Sequence, residues 1–164
     1  MNTAYLLMGG NLGDREAYLQ KAALLLQKYC GNIILSSSIY ETAAWGFTDQ
    51  PSFFNQAIAL ETALDPETLM QQLLQIEDLM GRQRLIRMGP RTIDLDILLI
   101  DNYVVSSDLL TLPHPFLAQR RFALQPLCEI APALVHPVLH QTIEQLLVDC
   151  ADSSNVQKKS AAAD

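Results

Sequence analysis

Two helix starts constrain this chain more than anything else in it. Asp14 stands as a cap before an apolar-periodic run, and Asp65-Pro66 couples a cap to proline at the first helical position. The first run carries its apolar stripe on Leu19, Ala22, Ala23, Leu26 and Tyr29 and stops at Gly31. The second carries it on Leu69, Leu73, Ile76 and Met80 and stops at Gly81. Strand-like segments surround them at 3–9, 32–40, 53–61 and about 92–100. In 53–61 the period of two puts Phe53, Asn55, Ala57 and Ala59 on one face, with Phe54, Gln56, Ile58 and Leu60 on the other. The order is strand, helix, strand, strand, helix, strand. It predicts an α+β fold with a ferredoxin-like βαββαβ core, an antiparallel sheet with helices packed on one face.

C-terminal additions follow: a hairpin turn at Asn102, a strand at 122–127 and a short helix at 141–149. Residues 1–150 read as a single domain. Residues 151–164 have almost no apolar anchoring and read as a flexible, frayed tail.

Composition matters here for what it excludes. No apolar run approaches the roughly 18 residues of a membrane span. Met1-Asn2-Thr3 lacks the basic start of a signal peptide, so a cytoplasmic location is expected. Cys30, Cys128 and Cys150 are odd in number and widely spaced, which predicts reduced thiols rather than a disulfide framework or metal site. The net charge of −7 disfavours nucleic acid as a partner. Yet Arg82, Arg84, Arg87 and Arg91 fall within ten residues that contain no acid. A positive segment on an acidic body suggests one local anion site, although charge alone would favour a solvated loop with incidental arginines.

The stretch Arg87-Met88-Gly89-Pro90-Arg91-Thr92-Ile93-Asp94-Leu95-Asp96-Ile97-Leu98 is the most informative. On a strand, Asp94 and Asp96 share a face with alpha carbons about 6–7 Å apart, while Ile93, Leu95 and Ile97 turn to the core. Two carboxylates so close call for a cation. Magnesium suits them, taking oxygen ligands from one or two carboxylates and from substrate phosphates. The plain alternative is an amphipathic strand with a wet face, but Asp is unfavourable in strands. Arginines for phosphate beside carboxylates for magnesium are the combination that phosphoryl transfer requires. Taken alone, Glu77 reads as a solvated helical carboxylate, His114 between Pro113 and Pro115 as an imidazole in a restricted turn, and Phe53 with Asn55 as strand-end packing or a seat for a flat heterocycle.

With these residues in view, the chain resembles the 6-hydroxymethyl-7,8-dihydropterin pyrophosphokinases of folate biosynthesis. The resemblance runs through Gly9-Gly10-Asn11-Leu12-Gly13, Gln50-Pro51, Phe53-Phe54-Asn55, Gly81-Arg82-Gln83-Arg84, the segment 87–98, Leu112-Pro113-His114-Pro115 and Arg120-Arg121-Phe122. It implies transfer of pyrophosphate from ATP to the hydroxymethyl-dihydropterin, giving the dihydropterin diphosphate and AMP. It implies two magnesium ions on Asp94 and Asp96, and phosphate contacts from Arg82, Arg84 and Arg91 on a loop that closes over ATP, with Arg82 and Arg91 also catalytic. His114 and Arg120 would face the triphosphate, and Glu77, Ile97, Leu110 and Thr111 would line the nucleotide. Thr42, Ala43, Ala44 and Trp45 would meet the pterin edge through their backbone, Asn55 would read it with its amide, and Phe53 and Phe122 would sandwich the ring beside Asp94. Gly10 replaces a common Ser, Met88 a common Trp, Leu109 a common Arg and Leu85 a common cation.

Small-molecule partners and a monomer are expected. Two rivals remain at this point: a two-metal phosphodiesterase or nucleotidyltransferase, which should carry a basic track, and a ligand-binding regulatory domain, which leaves the paired aspartates unexplained.

Overall fold

The computed structural model describes residues 1–43, 50–81 and 92–159. Its first strand is β1 (Asn2–Gly10), buried along most of its length. After it, Asp14 accepts the N–H of Ala17 and starts α1 (Arg15–Tyr29). β2 (Asn32–Ser36) and β3 (Tyr40–Thr42) follow, then β4 (Phe53–Thr62). Asp65 accepts the N–H of Thr68 and opens α2 (Pro66–Leu79), and β5 (Asp94–Ile100) completes the core.

All pairings in the main sheet are antiparallel, and its order is β5-β1-β4-β3, with β2 also paired to β4. This is the ferredoxin-like order expected from the sequence, with the second strand broken in two. The break has a chemical cause. Ser37 donates its N–H to Ala57 O at 2.8 Å, and its hydroxyl accepts the N–H of Ala57 at 2.9 Å. A side chain thus replaces a ladder bond, and the single strand expected over 32–40 becomes two.

The two faces of the sheet bury different cores. Ala4, Leu6 and Met8 meet Phe54, Ile58, Leu60, Leu95 and Ile97 under the stripes of α1 and α2. Leu7, Ala57, Leu98 and Leu99 turn the other way. That second face is covered by α3 (Arg121–Ile130) and α4 (Ile143–Asp149), so helices lie on both sides. The strand expected at 122–127 is therefore a helix. Ala123, Leu124 and Leu127 recur at helical spacing and are buried, which a short apolar run cannot reveal without its partner surface. The helix expected at 141–149 is present, closed at Thr142 by a capping box with Gln145.

Asp101 and Asn102 form a turn, but the next strands, β6 (Val105–Ser106) and β7 (Thr111–Leu112), pair with each other and not with β5. Among the described residues no hairpin returns along β5. α1 stops before Gly31 as expected, with the Gly31 N–H donating to Leu26 O at 3.2 Å, and the glycine also allows a close approach, since a Cβ there would lie 2.1 Å from Glu61 O. Tyr29 leaves the predicted stripe and is exposed. The frayed tail expected over 151–164 does not describe its first part, because β8 (Val156–Lys158) pairs with β3 and extends the sheet. Cys30 is buried, Cys128 and Cys150 are half-buried, and all three are free thiols. Among the described residues no helix is long and apolar enough to cross a membrane.

Candidate active site

Strand register brings the distant motifs together. Asp94 lies opposite Gly9, and Gly9 lies opposite Asn55, so these three form one row across β5, β1 and β4. The adjacent same-face row is Asp96, Leu7 and Ala57. The face is the one that α3 and α4 cover further along. Where the helices stop, a cavity of about 110 Å³ remains. Asp94, Asp96 and Gly9 line it from the sheet, with Phe53 and Asn55 beside them, Thr42 and Ala43 at one side, and Arg120 and Phe122 at the start of α3.

Gly9 makes room for Asn55. A Cβ on Gly9 would lie 2.1 Å from Asn55 Oδ1, so no other residue leaves the amide where it stands. Asn55 is 6% exposed, a polar side chain spent on a buried position. Thr42 is also buried, and its hydroxyl has no hydrogen-bond partner among the described residues. A buried unpartnered hydroxyl is costly; on a cavity wall it can be satisfied by a ligand. Asn11 ties the end of β1 to the chain entering β4, donating to Gln50 Oε1 at 2.7 Å and Pro51 O at 2.9 Å.

Glu77 overturns the reading of a solvated helical carboxylate. It is 2% exposed, and its Oε2 accepts the backbone N–H of Leu95 at 2.7 Å. β5 is an edge strand, so alternate N–H groups point away from β1 and need another acceptor. The α2 spacing carried the signal: Glu77 stands four residues after Leu73 and three before Met80, on the buried stripe.

His114 is fixed by a bulge in β5. The register slips between Tyr5 and Leu6, so Leu98 has no partner on β1. Leu98 O accepts the N–H of His114 at 2.8 Å, and His114 Nδ1 accepts that of Phe116 at 3.2 Å. Burial pushes the imidazole down to about 4, the Arg120 charge pushes the same way, and Asp94 opposes them. The ring is therefore neutral at pH 7, and with Nδ1 accepting, Nε2 is its N–H donor. The Arg120 guanidinium lies over Phe116 at 4.9 Å and Phe122 at 5.6 Å.

The family model for 7,8-dihydro-6-hydroxymethylpterin-pyrophosphokinase (HPPK) matches residues 5–132, well over half of the chain. The chain belongs to the HPPK family.

A 2-amino-4-hydroxy-6-hydroxymethyldihydropteridine pyrophosphokinase of Aquifex aeolicus is 39% identical over 88% of this chain and 90% of its own. One of Bacillus subtilis is 45% identical over 79% of this chain and 78% of its own. The wild-type HPPK-DHPS of Plasmodium falciparum with SDX-DHP shares the fold at a TM-score of 0.74 and 18% identity, over 90% of this chain. This chain spans 44% of that longer one.

Of the residues expected in an HPPK site, Thr42, Ala43, Phe53, Asn55, Asp94, Asp96, Arg120 and Phe122 meet at one cavity. His114 is near enough to feel the charges of Asp94 and Arg120. Ile97 and Leu110 are buried in the core beneath α1 and α2, and Thr111 is exposed on β7. Ala44 and Trp45 lie outside the described residues, as do Arg82, Arg84 and Arg91. Among the described residues, Thr92 Oγ1 donates to Met80 O at 3.4 Å. Gly9 and Asn11 are the residues whose roles the sequence reading lacked. Gly9 lies within β1, and only the register reveals that it faces Asn55.

Proposed function

We propose that the protein transfers the pyrophosphoryl group of ATP to 6-hydroxymethyl-7,8-dihydropterin, releasing AMP, with the reaction centred on Asp94 and Asp96. The observation that carries this reading is the shared cavity: two carboxylates suited to a metal-bound polyphosphate line the same cavity as an amide and two aromatic rings suited to a pterin. Family membership supports the same chemistry.

The donor set fits magnesium. Asp94 and Asp96 offer same-face oxygen ligands, and a hard cation of this kind takes one or two carboxylates together with substrate phosphates. We assign two ions, which Asp94 and Asp96 would hold together with the substrate phosphates. When bound, magnesium neutralises phosphate charge and lowers the pKa of the attacking hydroxyl.

The chain's own groups bind and orient. Asn55 offers both a donor and an acceptor to the heterocycle edge, and the Thr42 hydroxyl gains a partner there. Phe53 and Phe122 offer ring faces. His114 Nε2 donates to a phosphate oxygen, and Arg120 supplies fixed positive charge. The pterin oxygen bonds to the β-phosphorus, the bond from that phosphorus to the oxygen it shares with the α-phosphorus breaks, and AMP leaves with that oxygen. The hydroxyl proton passes to water. Most of the acceleration then comes from in-line positioning and charge compensation. Arg82, Arg84 and Arg91 complete the phosphate contacts, and Glu77, Ile97, Leu110 and Thr111 border the nucleotide. The protein works as a cytoplasmic monomer.

Chromatography of nucleotides after incubation with ATP, magnesium and the pterin tests the reading. AMP should form in step with pterin diphosphate and only when all three are present. ADP as the nucleotide product, or AMP at the same rate without pterin, would refute it.

A further inference from the structure

Arg121 stands between two cavity residues, Arg120 and Phe122, yet it turns away from the cavity to the C-terminal segment. Its backbone N–H donates to Asp152 Oδ2 at 3.0 Å, its Nε to Asp152 O at 2.8 Å and its Nη2 to Cys150 O at 3.1 Å. Asp152 is itself braced, with Oδ1 accepting the N–H and hydroxyl of Ser154. One end of the segment is thereby fastened to the first turn of α3.

The other end is fastened across the cavity. Val156 pairs with Thr42, Gln157 with Glu41 and Lys158 with Tyr40. Lys159 N–H donates to Ile39 O at 2.8 Å. Lys159 Nζ reaches Glu16 at 3.3 Å, and Lys158 Nζ reaches Glu129 at 4.0 Å. Glu129, on α3, also accepts the Tyr40 hydroxyl at 2.6 Å and the Ser38 N–H at 3.0 Å. Residues 150–159 therefore bridge the wall holding Arg120 and Phe122 and the wall holding Thr42.

We propose that this segment is a positioning strap, buckled by Arg121 and Asp152, that sets the separation of the two walls and so tunes the affinity for the flat substrate ring. None of its residues lines the cavity; they act through Thr42 and Phe122. Three side-chain and backbone bonds focused on one arginine are far more than a solvated terminal residue makes, and the segment has little apolar surface of its own to hold it there. The inference rests on the pterin reading of the cavity.

Calorimetry on Arg121→Ala and Asp152→Ala, each checked for folding by thermal melting, tests it. Arg121→Ala removes two of these hydrogen bonds and Asp152→Ala the three that its carboxylate accepts, and each loss predicts pterin affinity weakened about tenfold. Affinity for a non-hydrolysable ATP analogue should stay within about twofold, and turnover at saturating pterin should largely recover. Asp152→Asn, which keeps one of the two acceptor oxygens, should restore pterin binding only in part. Unchanged pterin affinity in a folded variant, or equal weakening of both ligands, overturns the strap. If the wild-type protein binds no pterin, the function reading fails separately, and hydrogen exchange still decides the strap. Faster exchange at 39–43 in the folded variants supports it, and unchanged exchange overturns it. Should Arg121→Ala not fold, Asp152→Ala alone carries both measurements.

Discussion

Glu77 and Leu95 are joined by a 2.7 Å hydrogen bond from the Leu95 backbone N–H to the buried Glu77 carboxylate. Leu95 separates the two aspartates, so this bond fixes the strand that aims them. A carboxylate at the C-terminal end of a helix opposes the helix dipole, and its presence there needs a gain elsewhere. Satisfying the unpaired edge of β5 between the two aspartates is such a gain.

Glu77→Ala should strand the buried Leu95 N–H and cost about 1–3 kcal/mol in stability. Turnover should fall more steeply than that loss predicts, with a higher magnesium requirement. Glu77→Gln keeps an acceptor and should recover most of the stability. Urea unfolding with a magnesium titration of activity separates the effects. Normal magnesium dependence in folded Glu77→Ala would assign the residue to stability alone.

Gly9→Ala should damage pterin binding without unfolding the sheet. The added Cβ would sit 2.1 Å from Asn55 Oδ1, and the flexible end of that side chain can move. Pterin affinity should drop about tenfold or more through loss of the amide contact. ATP affinity should be little changed. Asn55→Ala should give the same pattern, and the double variant should be no worse than either single one. Additive losses, measured by calorimetry, would mean that the two residues act separately.

The strand order and both helix caps were legible because they depend on local rules: period two, period 3.6, Asp at the cap and Pro after it. Asp94 and Asp96 were legible for the same reason. Features decided by distant partners were hidden. Ser37 breaks its strand only because Ala57 stands opposite. The stretch 122–127 is apolar enough for either state, and the sheet face it packs on selects helix. β8 is polar and short, and its order comes from β3, Glu16 and Glu129. Glu77 looked solvated because its partner is a backbone group 18 residues away.

His114 gives the protein an acid-sensitive step. Its folded value is lowered to about 4 from an ordinary 6.5, so the unfolded chain binds more protons between those pH values. Stability from this group is therefore complete above about 6.5 and is lost as the pH falls toward 4. His136 is also lowered, by burial and then by the charge of His140, and adds in the same direction. Urea unfolding at pH 7.5 and 5.0, without ligands, should show His114→Asn losing less stability than the wild type on acidification. Equal losses would show that His114 does not titrate as described.

Transfer of ATP labelled at the β-phosphorus tests the central claim most directly, run side by side on the wild type and Asp96→Asn. Asp96 is only partly buried and faces the cavity, so its substitution should leave the melting profile intact. The wild type should move the label into the pterin product with one AMP formed per transfer. Folded Asp96→Asn should lose at least about two orders of magnitude in rate, a barrier increase of about 2.7 kcal/mol. Label retained in ADP by the wild type, or transfer at the wild-type rate by folded Asp96→Asn, would contradict the account.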